Sequence, residues 1–345
     1  MSATSIEWAT DTWNPLRARR LSDGKVGWHC EKVSAGCASC YAETFNGRRL
    51  PAGGTGIPYN QRSRAQVETY LDGDVLLEPI RWKKPRRVFV ASMTDVFGDW
   101  VPDVALDQLF AAMALAPAHE FLLLTKRSER MRRYFSTART KLGRSHEVII
   151  RANTRMLGGA GVWPGWPLPN VWLGVSVEDQ KTADQRIPDL LATPAAVHWV
   201  SYEPALDEVE FQRGRGWLEP FKDTDASLTR TPRLSWIVVG GESGARARPF
   251  DVAWARSTIA QCKAAGTACF VKQVGSWPVD GECARCNGTG EMAAGIVCDL
   301  PRLRCPACDG AGKERQDTVD RKGGDMETWP GSLRVREFPA GRGDR

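Results

Sequence analysis

Seven of the ten cysteines in this 345-residue chain fall into two groups whose spacing suits metal chemistry. The first reads Cys30-x6-Cys37-x2-Cys40-Tyr41. Three thiolates in one loop could bind three irons of a 4Fe–4S cluster and leave the fourth iron open. S-adenosylmethionine could then chelate that iron through its amino and carboxylate groups. A zinc site completed by His29 or by a distant fourth ligand uses the same cysteines, and the spacing alone leaves both readings standing. The second group is a repeat: Cys283-x2-Cys286-x-Gly-x-Gly and Cys305-x2-Cys308-x-Gly-x-Gly, with eighteen residues between the two knuckles. Four thiolates at this spacing satisfy tetrahedral Zn²⁺, and the glycines permit the turns that aim N–H groups at sulfur. Cys298 has no partner at knuckle spacing. Cys262 and Cys269 flank a helix–strand turn at apolar positions and read as core. His119, His146 and His198 show no metal spacing.

Such groups need a scaffold. Short apolar runs at 88–91, 121–124, 171–177, 197–200, 236–239 and 269–271 are separated by helix-like segments. Runs this short with little alternation read as strands buried on both faces of a parallel sheet. Residues 103–116 place Leu106, Leu109, Phe110 and Met113 on one helical face, between Pro102-Asp103 and Pro117. Residues 251–265 open on Asp251 and stop at Gly266. Strand and helix in alternation predict an α/β fold, either a partial or complete (β/α) barrel or a doubly wound sheet. Residues 212–235 look like an irregular excursion. The boundaries expected are a barrel over 1–274, an inserted zinc-knuckle module over 275–321, and a tail over 322–345 that returns to the barrel.

Ligands gather at the carboxyl ends of parallel strands. Here the strands run into Ser92-Met93-Thr94-Asp95, Thr125-Lys126-Arg127, Ser176-Val177-Glu178-Asp179, Ser201-Tyr202-Glu203-Pro204, Gly240-Gly241-Glu242-Ser243-Gly244 and Lys272-Gln273. Six such endings in succession predict a shared polar pocket. The Gly-Gly-Glu-Ser-Gly turn lacks the full dinucleotide fingerprint and the phosphate-loop lysine.

Charge is uneven. Residues 126–155 hold ten Lys/Arg against Glu129 and Glu147, a local net of +8 that leaves about −2 of the chain's +6 for the remainder. A second basic cluster, Lys83-Lys84-Pro85-Arg86-Arg87, precedes an apolar run. Either suits a phosphate backbone or a solvated face. With no eighteen-residue apolar run and no basic-then-apolar leader, neither a membrane partner nor secretion is expected. A cytoplasmic location is expected, and ten cysteines there suit metals better than disulfides.

The order TWNP, C-x6-C-x2-CYAE, WKKPRRVFVASMTDVF, LTKR, VWLGVSVED, SYEP, VGGESG and FVKQ-x-G resembles a phage and bacterial family of three-cysteine-motif proteins within the radical S-adenosylmethionine superfamily. The resemblance runs from about Ile6 to Gly275 and resumes in the tail. The same order is similar to that of the spore photoproduct lyase-like radical enzymes. The repeat of knuckles resembles the zinc modules of DnaJ-type chaperones. The resemblance implies Cys30, Cys37 and Cys40 as cluster ligands. It implies Thr94 and Asp95 near the methionyl amino group, Lys126 facing the methionyl carboxylate, Ser176 and Glu178 near the ribose or adenine, and Glu203 close by. The spacing departs from the commoner C-x3-C-x2-C, and Ser39 stands where an aromatic residue usually precedes the third cysteine.

The expectation is therefore a radical enzyme on a (β/α) barrel, with a 4Fe–4S cluster, S-adenosylmethionine and, at Cys283, Cys286, Cys305 and Cys308, Zn²⁺. Its electron donor would be a protein such as a flavodoxin or ferredoxin. The basic stretches, the 14 tryptophans and the kinship with a DNA-lesion enzyme point to a nucleic acid or nucleotide substrate, modified or repaired. The competing expectation is a non-catalytic, zinc-stabilised nucleic-acid-binding protein.

Overall fold

A computed structural model describes residues 2–4, 6–47, 53–136, 165–212, 216–218, 232–282, 291–292, 303–304, 313–315 and 322–339. Six apolar runs become the strands β6 (Arg87–Val90), β7 (Glu120–Thr125), β8 (Val171–Val177), β9 (Val197–Tyr202), β10 (Trp236–Gly240) and β12 (Ala268–Gln273). They pair in parallel in that order, and β2 (Asp11–Trp13) joins β6 as a seventh parallel strand. β1 (Ser2–Ala3) adds an antiparallel edge. The sheet curls into a half-barrel and stays open: β2 and β12 do not pair. The barrel is thus partial. Residues 322–339 line its other edge, where Val271 N–H donates to the Val335 carbonyl and Glu337 N–H to that of Cys269.

Side chains alternate across a strand, so each run contributes to two cores. One face of the sheet carries Val88, Val90, Phe121, Leu123, Val175, Val200, Ile237 and Val271. The crossover helices cover it: α4 (Asp103–Ala114), α5 (Ser128–Ser136), α6 (Gln180–Leu191) and α7 (Val252–Ala265). Ends of the helices follow their capping residues. Asp179 and Thr182 form a capping box on α6, Asp251 caps α7, and Gly266 closes α7 at φ 66°, a left-handed position that suits glycine.

The other face holds Phe89, Leu122, Trp172, Trp199, Trp236 and Phe270, with Trp8 laid across them and Phe338 of the tail packed alongside. Trp8–Trp199 and Trp199–Trp236 ring centres lie 5.3 and 5.4 Å apart. Of the 14 tryptophans expected to stack on bases, Trp8, Trp172, Trp199 and Trp236 are buried in this floor, and Trp13, Trp100 and Trp329 are buried in the other core.

Before the first βα unit come three shorter helices: α1 (Tyr41–Gly47), α2 (Gly73–Leu76) and α3 (Glu78–Arg81). An antiparallel sheet beside them orders β4 (Val26–Gly27), β3 (Leu16–Arg20) and β5 (Val67–Leu71). The 275–321 segment, expected to be an inserted module, starts on a third sheet, where β13 (Pro278–Glu282) pairs in parallel with β11 (Phe250–Asp251) and antiparallel with β16 (Lys313–Arg315). Between them β14 (Glu291–Met292) and β15 (Leu303–Arg304) form a two-stranded ribbon. Cys283, Cys286, Cys298, Cys305 and Cys308 lie outside the described residues, as does most of the 212–235 excursion. Among the described residues no helix is long and apolar enough to cross a membrane.

Candidate functional site

Cys30, Cys37 and Cys40 are free, half-buried thiols in the loop between β4 and α1. Cys37 ends a 3-10 turn (Ala35–Cys37), and Cys40 immediately precedes α1. Burial pushes Cys30 up to about 12, with the Asp95 charge adding to the effect and Arg127 opposing it. Burial also raises Cys40, against backbone N–H groups of Glu43 and Ala42. Cys37 contributes to both shifts, so the three sulfurs lie in one another's field.

This loop is tied to the carboxyl ends of four strands. At the end of β6, Ala91 takes a left-handed φ of 54°, a costly conformation for a residue with a Cβ, and turns the chain beneath the loop. Tyr41 Oη donates to the Ser92 carbonyl at 2.6 Å and Tyr59 Oη to that of Met93 at 2.9 Å. Thr94 Oγ1 donates to the His29 carbonyl. Past β7, Arg127 donates to the Glu31 carbonyl at 3.1 Å. Past β8, Glu178 accepts from Ser34 Oγ at 2.9 Å. Past β10, Arg248 donates to the Ala35 carbonyl at 3.0 Å while forking onto Glu242. A Cβ on Gly36 would stand 2.5 Å from Glu178 Oε1, so only glycine lets the loop lie this low.

The alternation that puts Leu122, Trp172, Trp199 and Phe270 on the floor carries on to Lys126, Ser176, Ser201 and Lys272 at the rim. Lys126 Nζ donates to Ser176 Oγ at 2.7 Å and to Glu178. Glu178 also accepts from Arg186 at 3.1 Å. Burial works to raise its pKa, but the Lys126 and Arg186 charges and the bonds from Lys126 and Ser34 win, and the carboxyl sits below its ordinary value. Lys272 Nζ stands 3.1 Å from Glu203 Oε1, and Ser201 Oγ donates to Glu203 Oε2 at 3.1 Å. Gly240 makes room: a Cβ there would meet Glu203 Oε1 at 2.8 Å.

Placement therefore sorts the expected residues. Asp95 spends both oxygens internally, accepting from Thr125 Oγ1 (2.7 Å), Phe97 N–H (3.0 Å), Lys126 N–H (3.0 Å) and Arg127 (3.2 Å). It joins two strand ends, and Thr94 fastens the loop. Glu178, fully buried, braces the loop from below. Glu203 with Lys272 is the pair still partly open at the rim, with side chains 11 and 21 % exposed. Arg127 comes with the expected strand endings, while Ser34, Gly36, Arg186 and Arg248 complete the site and were not expected there. For Ser34, Gly36 and Arg248 the contacts that matter are distant in sequence (Arg248 and Ala35 are 213 residues apart), and no local pattern reports such a contact.

The basic stretches are less free than their composition suggests. In the described part of 126–155, Lys126 pairs with Glu178, Arg127 with Asp95, Arg130 with Asp103, Arg132 with Asp189 and Arg133 with Glu129. Arg86 pairs with Asp11 and Arg87 with Glu120. These charges hold helices and strand ends together.

Among the described residues no three His, Cys, Asp or Glu side chains converge on a single metal ion. A cubane asks something different, since each thiolate binds its own iron and the three need not meet at a point. Three free thiols in one tethered loop fit that donor set. Residues 3–323 match the family described as "Protein of unknown function (DUF5131)", and the chain belongs to that family. No curated protein and no solved structure matches.

Proposed function

We propose that this member of the DUF5131 family is a radical S-adenosylmethionine enzyme acting on a nucleic acid or nucleotide. The observation that carries the reading is one juxtaposition. A loop with three free cysteines lies across the carboxyl ends of a parallel half-barrel, pinned there from β6, β7, β8 and β10. Cys30, Cys37 and Cys40 would hold the 4Fe–4S cluster. When bound, it supplies the electron that cleaves S-adenosylmethionine to methionine and a 5′-deoxyadenosyl radical.

The chain's own residues orient and enclose. Asp95, Arg127, Glu178 and Arg248 fix the loop against the sheet. The Glu203–Lys272 pair offers an acceptor for a ribose hydroxyl or ammonium and a cation for a carboxylate. The indole floor beneath keeps water from reaching the site through the sheet. The knuckles at Cys283, Cys286, Cys305 and Cys308 would hold one structural Zn²⁺. A flavodoxin- or ferredoxin-like protein would deliver the electron.

The test is product analysis. Iron-loaded, reduced protein should convert S-adenosylmethionine to 5′-deoxyadenosine, and the Cys37→Ala variant should not. Iron-loaded, reduced wild type that forms no 5′-deoxyadenosine would defeat the proposal.

A further inference from the structure

The small sheet beside the cysteine loop turns one side inward and one outward. Leu16, Ala18 and Val67 are buried on the inner side. The positions between them, Arg17 and Arg19 with Tyr70 and Glu68 directly opposite, stand on the outer side. There the Arg19 and Glu68 side chains are 49 and 57 % exposed, so this side meets solvent. Neither guanidinium is committed to a carboxylate as those of Arg127, Arg186 and Arg248 are. Among the described residues no carboxylate pairs with Arg17. It lies 4.6 Å from the Trp28 ring centre, and its Nε has no hydrogen-bond partner. Arg19 lies 5.0 Å from the Tyr70 ring centre. Its ion pair with Glu68, at 3.5 Å, is open to water on both sides, where such a pair adds little. A cation over a ring is held by the ring and keeps N–H donors for another acceptor.

Trp28 follows β4 directly, so Trp28, Arg17 and Tyr70 cross the sheet as one row. That row leads to the cysteine loop. Trp28 packs against Ala42, Tyr59 and Met93, the small cluster that Cys30 and Cys40 also touch. Arg17 and Arg19 are two residues apart on one extended strand, about 7 Å. Cations at that spacing, interleaved with aromatic rings, complement an unpaired polynucleotide. Such a strand offers phosphates in a line and bases free to stack on a ring or a guanidinium plane. A duplex offers the phosphates alone, because its bases are stacked on one another.

We propose that this outer face binds single-stranded nucleic acid and leads it to the cysteine loop. That the strand is the substrate rests on the function proposed above; its binding requires neither cluster nor S-adenosylmethionine.

The experiment is fluorescence anisotropy of short labelled oligothymidylate and oligouridylate with the full-length protein, without iron or S-adenosylmethionine, over a range of salt. Wild type should bind at least one of them more tightly than a duplex of the same length. Arg17→Gln and Arg19→Gln should each weaken binding by about tenfold. Each should also flatten the dependence of log affinity on log salt by about 0.7. Tyr70→Leu should weaken binding by about fivefold or more and leave that slope unchanged. Lys83→Gln, in the exposed basic cluster before β6, should change neither. A loss in Lys83→Gln with none in Arg17→Gln and Arg19→Gln would overturn the assignment to this face and leave the nucleic-acid reading standing. A duplex bound as tightly as the single strands would overturn the single-strand assignment. Wild type that binds neither oligonucleotide would defeat the nucleic-acid reading together with this surface. Cleavage of S-adenosylmethionine, read separately, reports on the radical chemistry in every case.

Discussion

Glu178 is the residue on which the site's electrostatics converge. Its carboxylate takes Lys126, Arg186 and Ser34 together while fully buried. Because its folded pKa lies below the ordinary value, it adds stability above the ordinary glutamate range, near pH 4.3. That contribution is lost as pH falls from there through the depressed folded value. Glu178→Gln keeps the shape but strands two cations, and should cost roughly 3 kcal/mol at pH 7. The gap from wild type should narrow as pH falls below the ordinary value. Urea unfolding from pH 7 down to pH 3 measures both. The motif order placed Glu178 at the site, but its role as a brace was not legible. That role depends on Ser34 and Gly36, 144 and 142 residues earlier in the chain.

At the scale of elements, the parallel strands and α4 and α7 could be read because packing on both faces demands unbroken apolar runs. β2 escaped notice since three residues make no pattern, and β3 did because Leu16–Arg20 carries three arginines. The two faces were also legible in principle. Counting in twos from Trp172 and Trp199 arrives at Ser176, Ser201 and Glu203. Gly174 shows how tightly this face is fitted, as a Cβ there would lie 2.4 Å from the Trp199 ring. Backbone on β8 and a ring on β9 cannot both yield cheaply. Gly174→Ala should therefore destabilise by about 1–3 kcal/mol, measured by thermal or urea unfolding. An unchanged midpoint would mean that the indole floor is loosely packed.

Across the whole molecule, residues 275–321 are fastened to the half-barrel by their first and last described strands. Arg256 of α7 forks onto Asp280 of β13 with two contacts of 2.7 Å, and Lys313 of β16 reaches Asp251, the α7 cap. The two CxxCxGxG knuckles flank the β14–β15 ribbon in sequence, and the Zn²⁺ proposed for them would be far from the cysteine loop in the chain. Zinc analysis should give one ion per chain, lost in Cys305→Ser with the iron content unaltered. Iron lost together with zinc would mean that the two metal sites are not independent. The central claim is that Cys30, Cys37 and Cys40 hold a cluster open to S-adenosylmethionine. Its most direct measurement is electron paramagnetic resonance of the anaerobically reconstituted, reduced protein with and without that cofactor. The account predicts about four irons per chain and a cubane signal that changes shape when the cofactor is added, both absent in Cys37→Ala. A protein that retains no iron, or a cubane signal indifferent to S-adenosylmethionine, would contradict it.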